Sequence, residues 1–166
     1  MTGNVLNVRP DVEYPQTGIE DKKRLAGLLT GVLADSYILM VKTQGYHWNV
    51  VGPLFTSVHE LTEKQYRSLF EAVDEIAERI RALGMVAPSS ITEMIPFTEI
   101  QEDTANPSTE EMLLSLIADH EVVCRKLRKT EELAQDLGDA VTSDMMTQRM
   151  AFHENAIWML RALVST

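Results

Sequence analysis

The sequence predicts an all-α fold, a bundle of four long helices, and three observations support this. Apolar residues recur every three to four positions over long stretches, which is typical of helices with one buried side. All 6 prolines lie outside these stretches, and the 8 glycines are few. With 166 residues, the chain is long enough for one domain with a full hydrophobic core. We therefore expect a flexible N-terminal tail over residues 1–18 and one helical domain over 19–166.

The first two helices are predicted from their periodicity and from the residues that end them. The first covers 19–48 and stops before the turn at Gly52 and Pro53, a dipeptide that breaks helices. The second covers 56–83, and Gly84 follows it as a residue suited to the left-handed conformation that commonly ends a helix.

The last two helices are predicted in the same way. A third helix covers 108–137, where the Ser108 hydroxyl is placed to cap the first turn and Glu111 to complete a capping box. Gly138 interrupts the pattern, and a fourth helix follows over 141–163.

The second and third helices are separated by a longer connection, residues 85–107, with room for a short helix at 91–94. The other two links are short, which makes the helices that they join antiparallel neighbours. The connection over 85–107 is long enough to run the length of the bundle. This order of short, long and short links is the ferritin-like connectivity.

The composition favours a protein of the cytoplasm. The formal net charge is −10, which favours solubility and attraction of cations. No window approaches 18 uninterrupted apolar residues, and the N-terminus lacks the pattern of a signal peptide. The single cysteine, Cys124, cannot form an intrachain disulfide. We expect a cytoplasmic protein without a membrane segment.

The second predicted helix has two separate faces on a helical wheel. One is an apolar stripe that should face the core of the chain. It consists of Val58, Leu61, Leu69, Val73, Ile76, Ile80 and Leu83. The other face carries side chains of the kind that bind metals, spread over roughly 100°. They are His59, Glu63, Asp74 and Glu78. Imidazole and carboxylate groups together suit non-haem iron.

One copy of this helix cannot close a metal site. His59 and Glu78 lie 19 residues apart, or about 28 Å along a helix. However, the pairs His59/Glu78 and Glu63/Asp74 are both centred between residues 68 and 69. If two copies cross antiparallel at that point, His59 meets Glu78 of the second copy, and Glu63 meets its Asp74. A two-fold dimer would then hold two identical mixed sites.

Two other interpretations concern the same residue types. The acidic face is also consistent with a solvated surface stabilised by pairs four residues apart. An intrachain di-iron centre is disfavoured, because it requires Glu-x-x-His on two helices. The residues three positions before the four histidines are Gln44, Thr56, Ile117 and Met150.

His120 and His153 match no ligand spacing, so we expect surface histidines or a buried pair. No methionine pair is placed to bind haem, and none is expected.

Two segments resemble the Dps family (DNA-binding proteins from starved cells). The first is YHWNVVGPLFTSVHE with the spaced Asp74 and Glu78, and the second is HENAIWMLRALV in the last helix. The resemblance spans most of residues 20–164. It implies a hollow shell of twelve subunits that oxidises Fe(II), typically with hydrogen peroxide, and stores ferric iron inside.

The resemblance also implies the composition of the site. His47, His59 and Glu63 would come from one subunit, and Asp74 and Glu78 from its two-fold partner. His47 is added by the resemblance alone. The family usually has Asp where this chain has Glu63, and the extra methylene bears on whether this carboxylate binds metal directly or through water.

Further residues are assigned by the resemblance. Trp48 would lie near the iron and quench oxidising equivalents, although packing at a helix end is an equal alternative. Asp136, Asp139 and Asp144 would line the pores by which iron enters, although a solvated acidic loop explains them as well.

Binding to DNA is expected to be weak or absent. Residues 1–18 have Arg9 as their only basic side chain, and no basic tail follows the last helix. A shell of acidic subunits should repel the phosphate backbone. The alternative function is a non-catalytic shell, or a DNA-compacting scaffold, whose metal site is impaired at Glu63.

Overall fold

The computed structural model describes residues 16–103 and 105–165, and over these ranges it is entirely helical apart from turns and loops. It has helices α1 (Lys22–Asn49), α2 (Phe55–Ala82), α3 (Ile91–Met94), α4 (Thr109–Asp136) and α5 (Ala140–Val164), with a 3₁₀ turn at Ile95–Phe97. The all-α prediction is confirmed. Most of the predicted tail, residues 1–15, lies outside the described residues.

The helix ends follow the local signals in the sequence. Ser108 accepts a hydrogen bond from the backbone N–H of Glu111, and the Glu111 carboxylate accepts one from the N–H of Ser108, so the capping box is present. Gly84 has φ 86°, in the left-handed region. The first helix begins three residues later than predicted, because Asp21 caps it by accepting from the N–H of Arg24.

Ion pairs between α1 and α4 show how the helices run. Lys42, late in α1, lies 2.6 Å from Asp119, early in α4, while Asp35 lies 2.5 Å from Lys126 further along α4. The two helices are therefore antiparallel. Helix α1 packs mainly on α2, and α4 mainly on α5, with further contacts from α2 to α5. The connection between α2 and α4 must run the length of the bundle, which confirms the ferritin-like connectivity.

This long connection is fastened to α1 at two places. The buried Asp35 accepts hydrogen bonds from the Thr98 hydroxyl at 2.8 Å and from the Glu99 N–H at 2.7 Å. The Tyr46 hydroxyl donates to Asp103 at 2.6 Å. Burial, with the Asp103 hydrogen bond, raises the pKa of Tyr46 to about 12, so the phenol stays protonated as a donor.

The apolar stripe of α2 faces the core, as predicted. Five of its members are buried and the other two, Leu61 and Val73, pack against the buried cluster. In the described part of the chain, α1 is the one helix long and apolar enough to cross a membrane, but most of it is buried in the bundle. It is the core helix of this fold.

Candidate metal centre

Two histidines meet where α1 ends and α2 begins. His47 lies in the last turn of α1, and His59 follows the start of α2. Because the link between the helices is short, α2 folds back alongside α1 and the two imidazoles stack. Their ring centroids are 3.8 Å apart, with an interplanar angle of 15°.

Each of these imidazoles is held by the backbone of the other residue. His47 Nδ1 donates to the His59 carbonyl at 2.8 Å, and His59 Nδ1 donates to the His47 carbonyl at 2.8 Å. A carbonyl oxygen can only accept, so the proton of each neutral ring is on Nδ1. Both Nε2 atoms then keep a lone pair. This hydrogen-bond pattern is the one that usually orients metal-binding histidines.

Two aromatic rings support this histidine pair, and neither was predicted from the sequence. Phe55 stacks on His59 with centroids 5.0 Å apart, and Tyr66 contacts His47 edge-on at 5.2 Å. The available signal was spacing alone: Phe55 lies four residues before His59 and Tyr66 seven after, so all three share one side of α2. The rings limit how far the imidazoles can turn.

Glu63 lies one turn beyond His59 and forms an ion pair with Arg67. Arg67 Nη2 and Nε lie 2.6 and 3.0 Å from the same carboxylate atom, Glu63 Oε1. The Arg67 hydrogen bonds, with weaker attraction from His47 and His59, hold the pKa of Glu63 below its usual range. The carboxylate is therefore ionised and lies near the histidines.

Asp74 and Glu78 are exposed on the same helix, 15 and 19 residues beyond His59. These separations correspond to about 22 and 28 Å along α2. Within the described residues of this single chain, no three His, Cys, Asp or Glu side chains are grouped so that they could hold a metal ion. One chain thus brings together the two histidines with Glu63 nearby, but not the two further carboxylates.

A large apolar side chain lies between the two halves of this face. Phe70 is 66% exposed and falls within about 20° of His59 on the α2 wheel. It also lies close to the point between residues 68 and 69 on which the predicted pairs are centred. An exposed phenylalanine at that position is consistent with the two-fold crossing predicted from the sequence.

Trp48 is turned away from the histidine pair within one chain. Its side chain is 66% exposed, and among the described aromatic contacts none joins it to His47 or His59. It instead lines a cleft of about 240 Å³ beside Tyr46 and Asp103. The predicted quenching role is not tested by a single chain.

The three predicted pore carboxylates have different surroundings. Asp139 is nearly buried, caps α5 and accepts hydrogen bonds from Arg79 at 2.7 Å through both oxygens. Its structural role is therefore evident within one chain. Asp136 and Asp144 are exposed, and Asp144 accepts from Gln148 at 2.7 Å. The pore prediction now depends mainly on these two.

His120 and His153 form a buried pair between α4 and α5, one of the two outcomes expected. Their Nδ1 atoms lie 2.8 Å apart, and both residues are almost completely buried. Burial lowers the pKa of His120 to about 3 and that of His153 well below its usual value, with Arg149 adding to both effects. Both rings are neutral at pH 7.

Comparison with known proteins agrees with the fold. The family model described as a ferritin-like domain matches residues 26–166. An uncharacterised low temperature-induced protein of Nostoc is 40% identical over 89% of this chain and 84% of its own. A DNA protection during starvation protein of Bacillus anthracis is 34% identical over 86% of this chain and 98% of its own.

A solved structure extends the comparison. The Dps protein of Vibrio cholerae, described as a member of the ferritin-like diiron-carboxylate superfamily, has a TM-score of 0.83 and 30% identity. The alignment covers 87% of this chain and 91% of that one. Together with the family match and the helix order, these similarities show that the chain belongs to the Dps family of ferritin-like proteins.

Proposed function

We propose that the chain is a ferroxidase that oxidises Fe(II) with hydrogen peroxide and stores ferric iron inside a twelve-subunit shell. The observation that carries the proposal is the His47–His59 pair. The two Nδ1 atoms are engaged by backbone carbonyls, which leaves two Nε2 lone pairs at one place. Imidazoles with nearby carboxylates suit non-haem iron, which is here the substrate.

The complete site is formed by two chains. His47, His59 and Glu63 of one subunit bind iron together with Asp74 and Glu78 of the two-fold partner. Two facts support this arrangement: the carboxylates lie too far along α2 to reach the histidines of their own chain, and the exposed Phe70 lies near the crossing point. In a crossing centred between residues 68 and 69, Phe70 of each copy lies opposite residue 67 of the other and within one helical turn of the other Phe70.

The reaction follows from this set of ligands. Carboxylates prefer the harder Fe(III) over Fe(II), so their binding energy assists oxidation. Three or four protein ligands leave a coordination position open for peroxide. Two Fe(II) ions give one electron each, and one peroxide with two protons becomes two waters. The ionised Glu63 need not lose a proton before it binds metal, and the Nδ1 hydrogen bonds of His47 and His59 leave Nε2 as the metal-binding atom of each ring.

Storage, location and DNA binding complete the proposal. Acidic side chains at the pores, with Asp136 and Asp144 the best placed, would attract Fe(II) into the shell. The protein would act in the cytoplasm and protect the cell against peroxide. Although relatives are named for DNA protection, the net charge of −10 makes tight binding of this chain to DNA at physiological salt unfavourable.

Anaerobic mixing of the apoprotein with Fe(II) and peroxide tests the proposal. The wild type should show rapid growth of ferric absorbance, and a His59→Ala/Asp74→Ala variant should not. Sizing chromatography on both proteins controls for assembly. Equal rates in the two proteins would instead support the alternative, a shell or scaffold with an impaired site.

A further inference from the structure

The ion pair between Arg67 and Glu63 has an asymmetric geometry. Both guanidinium contacts, from Nη2 at 2.6 Å and from Nε at 3.0 Å, go to Glu63 Oε1. Among the described residues, no hydrogen bond engages the other oxygen, Oε2. The arginine therefore restrains the carboxylate while leaving one of its oxygens available.

Arg67 also contacts the group that supports the histidine pair. Its guanidinium carbon lies 5.7 Å from the centroid of the Tyr66 ring, and Tyr66 contacts His47 edge-on at 5.2 Å. The same arginine thus connects the carboxylate side of the site with the imidazole side. Donation from two nitrogens of one guanidinium, together with a contact to an aromatic ring, is typical of arginine, and a lysine ammonium would reproduce it only in part.

Within one chain, this ion pair contributes little to stability. The Arg67 side chain is 66% exposed and that of Glu63 38%, and exposed pairs four residues apart on a helix contribute little to folding. A flexible side chain that must bind metal, however, loses conformational entropy when it does so. Glutamate has one more rotatable bond than aspartate, so its need for external restraint is greater.

We propose that Arg67 is a positioning residue of the iron site, which holds Glu63 by Oε1 so that Oε2 binds the metal ion directly. The inference rests on the proposed function of this site. Hydrogen bonds to a metal-binding carboxylate orient it, and their loss typically weakens metal binding about 10- to 100-fold. The opposite role, in which Arg67 competes with metal for Glu63, predicts that its removal strengthens binding.

Titration with Co²⁺ in the absence of peroxide tests the proposal, because it reports metal binding apart from turnover. Arg67→Ala should bind Co²⁺ about 10-fold more weakly than wild type and change its visible absorption, and Arg67→Lys should restore only part of the loss. Arg128→Ala is the matched control, since Arg128 is also exposed and pairs with Glu154 at 3.4 Å on other helices. It should bind Co²⁺ as wild type does.

A double-mutant cycle separates orientation from plain charge. In a Glu63→Asp background the shorter side chain needs less restraint, so adding Arg67→Ala should cost clearly less than it does alone. An equal loss in both backgrounds, or unchanged or tighter binding by Arg67→Ala, would overturn the inference. If His59→Ala also binds Co²⁺ like wild type, the proposed function fails as well. If His59→Ala loses Co²⁺ binding and Arg67→Ala does not, the proposed function is kept and the role of Arg67 is rejected.

Discussion

The chain contains two histidine pairs, and they differ in what their Nδ1 atoms bind. In the pair at the helix ends, His47 and His59 each donate to a backbone carbonyl and stack face to face. In the pair at the bundle centre, His120 and His153 share a hydrogen bond between their Nδ1 atoms and are sealed from solvent. The first pair keeps its Nε2 atoms available to bind a metal, while in the second pair the two facing Nδ1 atoms are bonded to each other.

The difference shows that proximity of two histidines does not make a metal site. The surroundings decide: ionised Glu63 lies beside the first pair, whereas the cationic side chain that acts on the second pair is the partly buried Arg149. A buried cation disfavours a second one in a medium of low dielectric constant. We therefore expect iron chemistry at the helix ends and a purely structural role at the bundle centre.

Removing one histidine from each pair should affect different properties: the rate of iron oxidation for the first pair and the stability of the fold for the second. This is the largest effect expected. His59→Ala should slow peroxide-dependent Fe(II) oxidation by at least about 100-fold, since losing a direct ligand should exceed the loss of a supporting residue. His120→Gln should leave the rate within about twofold but lower the unfolding temperature. Stopped-flow absorbance and thermal melts measure the two responses. A comparable loss of oxidation in His120→Gln would contradict the distinction.

The function of the pair His47/His59, here called the open pair, should depend on a second copy of the chain. The structural role of the pair His120/His153, here called the closed pair, should not. Phe70→Lys places a second cation opposite Arg67 of the other copy at the proposed crossing point, so it should reduce assembly and abolish oxidation. Phe70→Leu keeps an apolar contact and serves as the control. Sedimentation velocity measures the assembly state. A Phe70→Lys protein that assembles and oxidises iron like wild type would place the interface elsewhere.

Acid should destabilise the fold through the closed pair. The folded-state pKa of His120 is about 3, whereas that of an unfolded histidine is about 6.5. The contribution of the neutral ring is therefore complete above pH 6.5 and is lost as the pH falls toward 3. At pH 5 the loss amounts to about 2 kcal/mol for this imidazole. The free energy of unfolding in urea, measured from pH 7 to pH 5, should decline in this way in wild type and less steeply in His120→Gln. If it declines equally in the two proteins, His120 is not the source of the acid sensitivity.

The smallest effect is expected at the ring that stacks on the open pair. Phe55→Leu keeps an apolar side chain but removes the stacking on His59, a contact worth about 1 kcal/mol between aromatic rings. The affinity for Co²⁺ should fall about fivefold, as measured by titration. Phe70→Leu provides a control away from the imidazoles, and a larger loss there than in Phe55→Leu would contradict the assigned role of stacking.

Helices and their ends could be predicted because local chemistry decides them. The Ser108 capping box and the left-handed Gly84 depend on residues within one turn of each other, and the α2 stripe on one periodicity. The position of α1 was less accurate, since apolar residues suggested a start at residue 19 while the Asp21 cap sets it at Lys22.

The details of the site could be predicted only in part. The face with His59 and Glu63 follows from spacing, but the reciprocal Nδ1 bonds require the angle at which two helix ends meet. The resemblance assigned Asp139 to a pore, whereas Arg79, distant in sequence, donates to both of its oxygens. Contacts of this kind depend on tertiary packing, which a residue pattern does not encode.

Mixing two inactive variants tests the central claim, that two chains share each site. His59→Ala lacks the histidine half and Asp74→Ala/Glu78→Ala the carboxylate half, so each should be inactive alone. After co-expression, a mixed pair holds one intact site, and random pairing should restore about a quarter of the wild-type oxidation rate. Sites confined to one chain would leave the mixture as inactive as its components, and that result would contradict the account.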